Sequence, residues 1–201
     1  MNRALVRAVA IVAFVAVNLL GGCGGLLQPG KEQARWSAVP TRKVERSLQP
    51  ADGWQEFKDE TFDFSIRTPC TLRLVERPED DGDVRAYSCN DGELVYVISA
   101  TNEGCGSERE FASLAQVAEN AYLKSVKKEG DPPDNAPEFK LLMPPYYGRQ
   151  SRVTTGSEVR VIRVVASQRN LYFLICSGPA GSIDARVDAF LDGLQPGATG
   201  K

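Results

Sequence analysis

The chain is predicted to form an α+β domain on three observations. Short runs alternate apolar and polar residues and are joined by hairpin-turn residues. One long stretch with helical apolar spacing interrupts them, and a second such stretch closes the domain. All of these patterns begin near Trp54.

Gln55 to Lys58, Phe62 to Thr68 and Leu72 to Glu76 read as half-buried strands, with Phe62, Phe64 and Ile66 on one face. Val84 to Ser88 and Leu94 to Thr101 continue the meander across Asn90-Asp91-Gly92, whose Asp-Gly pair suits the positive φ of a tight hairpin. The period then changes. Phe111, Leu114, Ala115, Ala118, Ala121, Tyr122 and Val126 recur three and four apart, the mark of an amphipathic helix over Ser107 to Gly130. Ser107 with Glu110 forms a capping box, Lys124, Lys127 and Lys128 complement the negative helix end, and Gly130 closes it. Asp131 to Pro137, with three prolines, reads as a loop.

A second strand set follows: Phe139 to Met143, Tyr147 to Thr154, Val159 to Ala166 and Leu171 to Cys176, with turns at Thr155-Gly156-Ser157 and Gln168-Arg169-Asn170. Val159 to Ala166 is apolar on both faces toward its end, which places it centrally in a sheet. Ser182 can cap a helix to Leu194 whose inner face is Ile183, Val187, Phe190, Leu191 and Leu194. Residues 196–201 read as a disordered tail.

The start of the chain has another character. Arg3 and Arg7 precede an apolar run from Ala8 to Leu20, too short for the roughly 20 residues that span a bilayer but suited to a secretory signal peptide. Leu20-Gly21-Gly22-Cys23 resembles the lipobox of bacterial lipoproteins. On that resemblance residues 1–22 are removed and Cys23 becomes the acylated first residue, anchoring the chain to the membrane outside the cytoplasm. An ordinary cleaved signal, or an uncleaved anchor, is the alternative. Residues 23–53 lack any sustained period and read as a flexible tether with a root-mean-square reach of about 30 Å. Its mildly basic character suits either a solvated linker or contact with anionic headgroups.

Export makes disulfides the expected state of Cys70, Cys89, Cys105 and Cys176. Four cysteines allow three connectivities. A hairpin of Leu72 to Glu76 with Val84 to Cys89 brings Cys70 beside Cys89 and leaves Cys105 for Cys176; four buried free thiols are the alternative.

Composition narrows the function classes. The formal charge of −2 becomes −4 once Arg3 and Arg7 leave with the signal, too acidic for a nucleic-acid surface. There is no histidine, so imidazole-based triads are impossible, and the cysteines show no paired metal spacing. No cofactor or metal is expected. Glu79, Asp80, Asp81 and Asp83, with Asp91 and Glu93, form the densest carboxylate cluster but lack the ligand spacing of a calcium loop and read as solvated turns. Pro144-Pro145-Tyr146-Tyr147-Gly148 is the strongest partner-binding feature, since tyrosines on a stiff turn suit an interface; the alternative is that Tyr146 and Tyr147 cover the sheet edge.

The order of elements resembles the PsbP-like family, also seen in small bacterial lipoproteins. The resemblance rests on Trp54-Gln55-Glu56-Phe57, on Phe62-Asp63-Phe64-Ser65-Ile66-Arg67-Thr68-Pro69, on the helix Ser107 to Gly130, and on the late meander containing Leu171-Tyr172-Phe173-Leu174-Ile175 with the closing helix around Phe190. It covers residues 54–195 and implies a sandwich in which helices cover an antiparallel sheet. It also implies a non-enzymatic module that docks on another envelope component, and brings no catalytic residues with it. The second functional expectation is a carrier holding a lipid or other apolar ligand between sheet and helix.

Overall fold

The computed structural model describes residues 41–43, 53–75, 84–102, 138–143, 146–183 and 185–197 of the chain. Eleven strands and one α-helix lie within them: β1 (Thr41–Lys43), β2 (Gln55–Asp59), β3 (Phe64–Thr68), β4 (Arg73–Leu74), β5 (Val84–Asn90), β6 (Val95–Thr101), β7 (Glu138–Met143), β8 (Tyr146–Thr155), β9 (Glu158–Ala166), β10 (Leu171–Pro179), α1 (Ala185–Asp192) and β11 (Gln195–Pro196). Every strand read from the sequence is present. Asn90-Asp91-Gly92 makes the predicted hairpin, with Gly92 at φ 105°, a conformation that glycine adopts without strain.

The two meanders meet through β6 and β10, antiparallel from Leu171 opposite Thr101 to Ser177 opposite Val95. The result is an eight-stranded sheet in the order β1-β7-β8-β9-β10-β6-β5-β4, with a three-stranded sheet β11-β3-β2 beside it. β9 and β10 occupy the centre, as the apolar character of both their faces requires. Strand alternation divides their residues between two cores. On the first face Val161, Val165, Tyr172 and Leu174 pack with Phe64 and Ile66 of β3 and with Phe190 and Leu191 of α1. On the second face Ile162, Val164, Phe173 and Ile175 pack with Val97 and Val153.

Polar anchors fix how the first face is covered. Tyr172 Oη donates to Phe62 O at 2.9 Å, and Asn170 Nδ2 donates to the same carbonyl at 2.9 Å. Asp59 Oδ1 accepts the amides of Thr61 and Phe62, while its Oδ2 accepts Tyr87 Oη at 2.6 Å. Asp91 does the same at the β5–β6 turn, accepting from Glu93 N, Leu94 N and Tyr96 Oη, with Arg186 of α1 alongside. Burial alone would raise the Asp91 carboxyl, but the Leu94 and Glu93 amides, the Tyr96 hydroxyl and the Arg186 charge together hold it below its ordinary value. Gly178 lies so close to the turn leading into β6 that a Cβ there would stand 2.7 Å from Leu94 Cδ2 and 2.8 Å from Glu93 O, so a side chain has no room.

Several expectations are corrected. Antiparallel strands dominate, and among the described residues the second layer on the first face is as much sheet as helix; the expected helix Ser107 to Gly130 lies outside them. Thr41–Lys43, read as tether, pairs in parallel with Lys140–Leu142 of β7, because an edge strand offers backbone groups to any extended segment passing beside it. Pro196, read as tail, is buried in β11 opposite Phe64, and Gly197 N donates to Asp63 O at 2.6 Å. Ser182 belongs to a 3-10 turn, Ala180–Ser182, rather than capping α1.

Candidate functional site

The second face of the large sheet is the most unusual surface in the fold, because polar side chains are buried among its apolar ones. The strand register places Arg149 of β8, Val164 of β9, Phe173 of β10 and Ser99 of β6 in one row across the sheet. The adjacent row runs Ser151, Ile162, Ile175, Val97. With neighbouring strands about 4.8 Å apart and adjacent rows ~7 Å apart along the strands, the serines, three strand spacings and one row from each other, stand ~16 Å apart across an aliphatic and aromatic floor. Arg149 and Ser151 are fully buried and Ser99 is 3% exposed. Neither Ser99 Oγ nor Ser151 Oγ reaches a hydrogen-bond partner among the described residues. A buried hydroxyl without a partner costs about 1–3 kcal/mol, so two on one face call for an explanation.

Polar groups on the first face behave differently. Arg163 of β9, fully buried, donates from Nε and Nη2 to Gln150 Oε1 at 2.9 and 2.7 Å, and from Nη2 to Asp192 Oδ1 at 2.6 Å. That pair locks the last residue of α1 onto the sheet centre, a structural use of charge. Hydroxyls beside an apolar floor can donate and accept hydrogen bonds.

The residues singled out from sequence are distributed as follows. Cys23 and Cys105 lie outside the described residues. Cys70 and Cys89 are bonded, S–S 2.06 Å, because β4 and β5 pair with Arg73 opposite Ser88 and so carry the two cysteines together. Cys176 is a free thiol, fully buried on the first face, and the expected bridge to Cys105 is not formed. The side chain points into the layer shared with Tyr96 and Phe190, and burial pushes the thiol well above its ordinary range. Tyr146 is 5% exposed, and its hydroxyl donates to the carbonyls of Pro196 and Gly197 at 3.0 and 2.9 Å. It clamps the C-terminal strand and is not presented for docking, as its sheet-covering alternative implied. Tyr147 is half-buried against the second core. Asp91 is committed to its turn and Glu93 to Arg186 Nη2 at 2.7 Å; residues 79–83 lie outside the described set. No group of metal-ligating side chains occurs among the described residues, and no helix among them is long and apolar enough to cross a membrane.

Arg149, Ser151 and Ser99 were not foreseen. The signal was there: Ser99 interrupts the run Val95 to Ala100, and Arg149 and Ser151 sit inside a ten-residue strand, positions a sheet buried on both faces normally gives to apolar residues.

No protein-family model matches the chain, and no curated protein matches it. Solved structures do. The solution structure of cyanobacterial PsbP from Synechocystis sp. PCC 6803 aligns over 75% of this chain and 96% of that one, with 12% identity and a TM-score of 0.51. A crystal structure from Bacteroides thetaiotaomicron VPI-5482 aligns over 74% of this chain at 15% identity and a TM-score of 0.47; this chain spans 50% of that one's length. LpqN of Mycobacterium tuberculosis, involved in cell envelope biogenesis, aligns over 75% of this chain and 83% of that one at 13% identity and a TM-score of 0.33. The likeness to cyanobacterial PsbP concerns architecture, and on that ground the described domain has a PsbP-like fold.

Proposed function

We propose that this protein is a lipid-tethered, non-enzymatic binding module of the bacterial cell envelope that holds an apolar molecule against the second face of its large sheet. The observation that carries this reading is the pair of buried, unpartnered hydroxyls, Ser99 and Ser151, set above the floor of Phe173, Val164, Ile162 and Ile175. A ligand with an apolar body and hydrogen-bonding groups toward its ends matches that pattern. The Cys70–Cys89 disulfide supports an oxidising compartment, and the signal sequence with Cys23 supports membrane attachment there. A buried Cys176 and a histidine-free chain favour binding over catalysis.

Docking on another envelope component is the less favoured reading. Tyr146 is turned inward, and among the described residues Leu74 is the only large hydrophobic side chain that is exposed.

Native mass spectrometry of the intact chain, extracted in mild detergent, tests the proposal. A bound small molecule that is lost in Ser99→Ala/Ser151→Ala supports it, the more so if the variant's apo form is as stable as the wild type or more so. A clean apo mass from freshly extracted wild type refutes it.

A further inference from the structure

β2 is the outer strand of the small sheet, and no described strand lies beyond it. Its residues alternate. Phe57 and Asp59 turn toward the core, the Phe57 ring lying 4.6 Å from that of Tyr87, while Glu56 and Lys58 point outward, 52% and 66% exposed, with Lys58 Nζ 3.5 Å from Glu56 Oε2. A five-residue strand with no described strand on its outer side is a template for another strand, and edges are usually blunted by a charge that repels a second copy of itself.

Here the charges are self-complementary. Antiparallel pairing of two β2 strands about a two-fold axis at Phe57 sets Glu56 opposite Lys58 of the second copy, Lys58 opposite Glu56 of the second copy, and Gln55 opposite Asp59 of the second copy. Shifting the axis to Glu56 or to Lys58 would oppose like charges, and so would parallel pairing in register. Attraction therefore selects one register. The strand on the other side reinforces it, because Arg67 of β3 stands opposite Glu56, so Lys58 of the second copy adds a further cation to the Lys58 and Arg67 of Glu56's own chain. We infer that β2 is a homodimerisation edge: two copies of this chain join their small sheets through antiparallel β2 pairing centred on Phe57.

Sedimentation of the intact chain in detergent micelles tests this with four proteins: wild type, Glu56→Lys, Lys58→Glu, and the double charge swap. Each single substitution opposes like charges twice per interface, so each should weaken dimerisation about tenfold or more, while the swap restores the wild-type affinity. Both positions are exposed, and matching circular dichroism spectra and melting curves confirm that the variants fold. A monomeric wild type, single variants that dimerise as well as wild type, or a swap as weak as the singles would each overturn the inference.

Discussion

Removing one partner of the Arg163–Asp192 pair should destabilise the fold more than removing both. The Arg163 side chain is 0% exposed and Asp192 13% exposed, and Nη2 lies 2.6 Å from Oδ1. In Asp192→Ala the guanidinium stays out of water, held to Gln150 but stripped of its nearest counter-charge. Breaking a buried pair in this way costs about 3–5 kcal/mol, a large part of the roughly 5–15 kcal/mol that holds a domain folded. Arg163→Met keeps most of the apolar stem and leaves Asp192 close enough to the surface to recover water, so it should cost less, about 1–3 kcal/mol. The double variant Arg163→Met/Asp192→Leu replaces the pair with apolar volume and should fall within about 2 kcal/mol of wild type on either side. The two single losses should therefore exceed the double by about 2 kcal/mol or more, well outside the additivity of independent sites. Urea unfolding followed by circular dichroism and by the fluorescence of Trp54, which packs against the first core, measures all four proteins. A loss below about 1 kcal/mol in Asp192→Ala, or singles that sum to the double, would show that the pair is not the lock between α1 and the sheet.

Three further outcomes follow from the geometry. Reducing the Cys70–Cys89 bridge, or replacing both cysteines by serine, opens a loop of sequence separation 19 and should lower unfolding free energy by about 3 kcal/mol; an unchanged urea midpoint under reductant would contradict this. Burial raises the Tyr172 hydroxyl from its ordinary 10.0 to about 12, and burial with the Asp59 hydrogen bond raises Tyr87 likewise. A raised folded value means the neutral hydroxyl favours the fold: that stability is whole below pH 10.0 and is lost as the pH climbs toward about 12, so the urea midpoint should drop across this window together with the rise of tyrosinate absorbance. Gly178→Ala forces a Cβ against Leu94 and the Glu93 carbonyl and should cost about 1–3 kcal/mol, read as a lowered melting temperature with the disulfide intact; a neutral result would mean β6 and β10 separate freely at that point.

Much of this architecture was legible in the residues because strand period and turn chemistry are local. Phe64 and Ile66 alternate inward from sequence pattern alone, Asp-Gly at residues 91–92 makes its hairpin, and the register Arg73 opposite Ser88 is what put Cys70 within reach of Cys89. What escaped was set by distant partners. β1 and β11 contain three and two residues, too few to carry a period, and exist only because β7 and β3 offer them an edge. Tyr146 looked like a recognition residue because its hydroxyl acceptors, the carbonyls of Pro196 and Gly197, lie about fifty positions away in the chain. Cys176 looked like a disulfide partner because cysteine count speaks of numbers while pairing depends on which face of β10 a side chain takes. The pairing of β6 with β10, which joins the two meanders, likewise leaves no local mark.

The difference between the sheet's two faces is what separates structural polarity from candidate function. On the first face each buried polar group described above finds a partner on another element: Arg163 on α1, Tyr172 at the β2–β3 turn, Tyr146 beyond β11, Tyr87 on Asp59. Such bonds are specific to one arrangement, so they dictate how the small sheet and α1 sit on the large one. Ser99 and Ser151 make no such choice. Alanine at either position would relieve a penalty of about 1–3 kcal/mol and keep the sheet intact, so packing gives no reason for the hydroxyls. If stability were the only demand on this face, its rows would read like the apolar floor between those serines; on the proposed reading, a bound molecule supplies the missing hydrogen bonds at both positions.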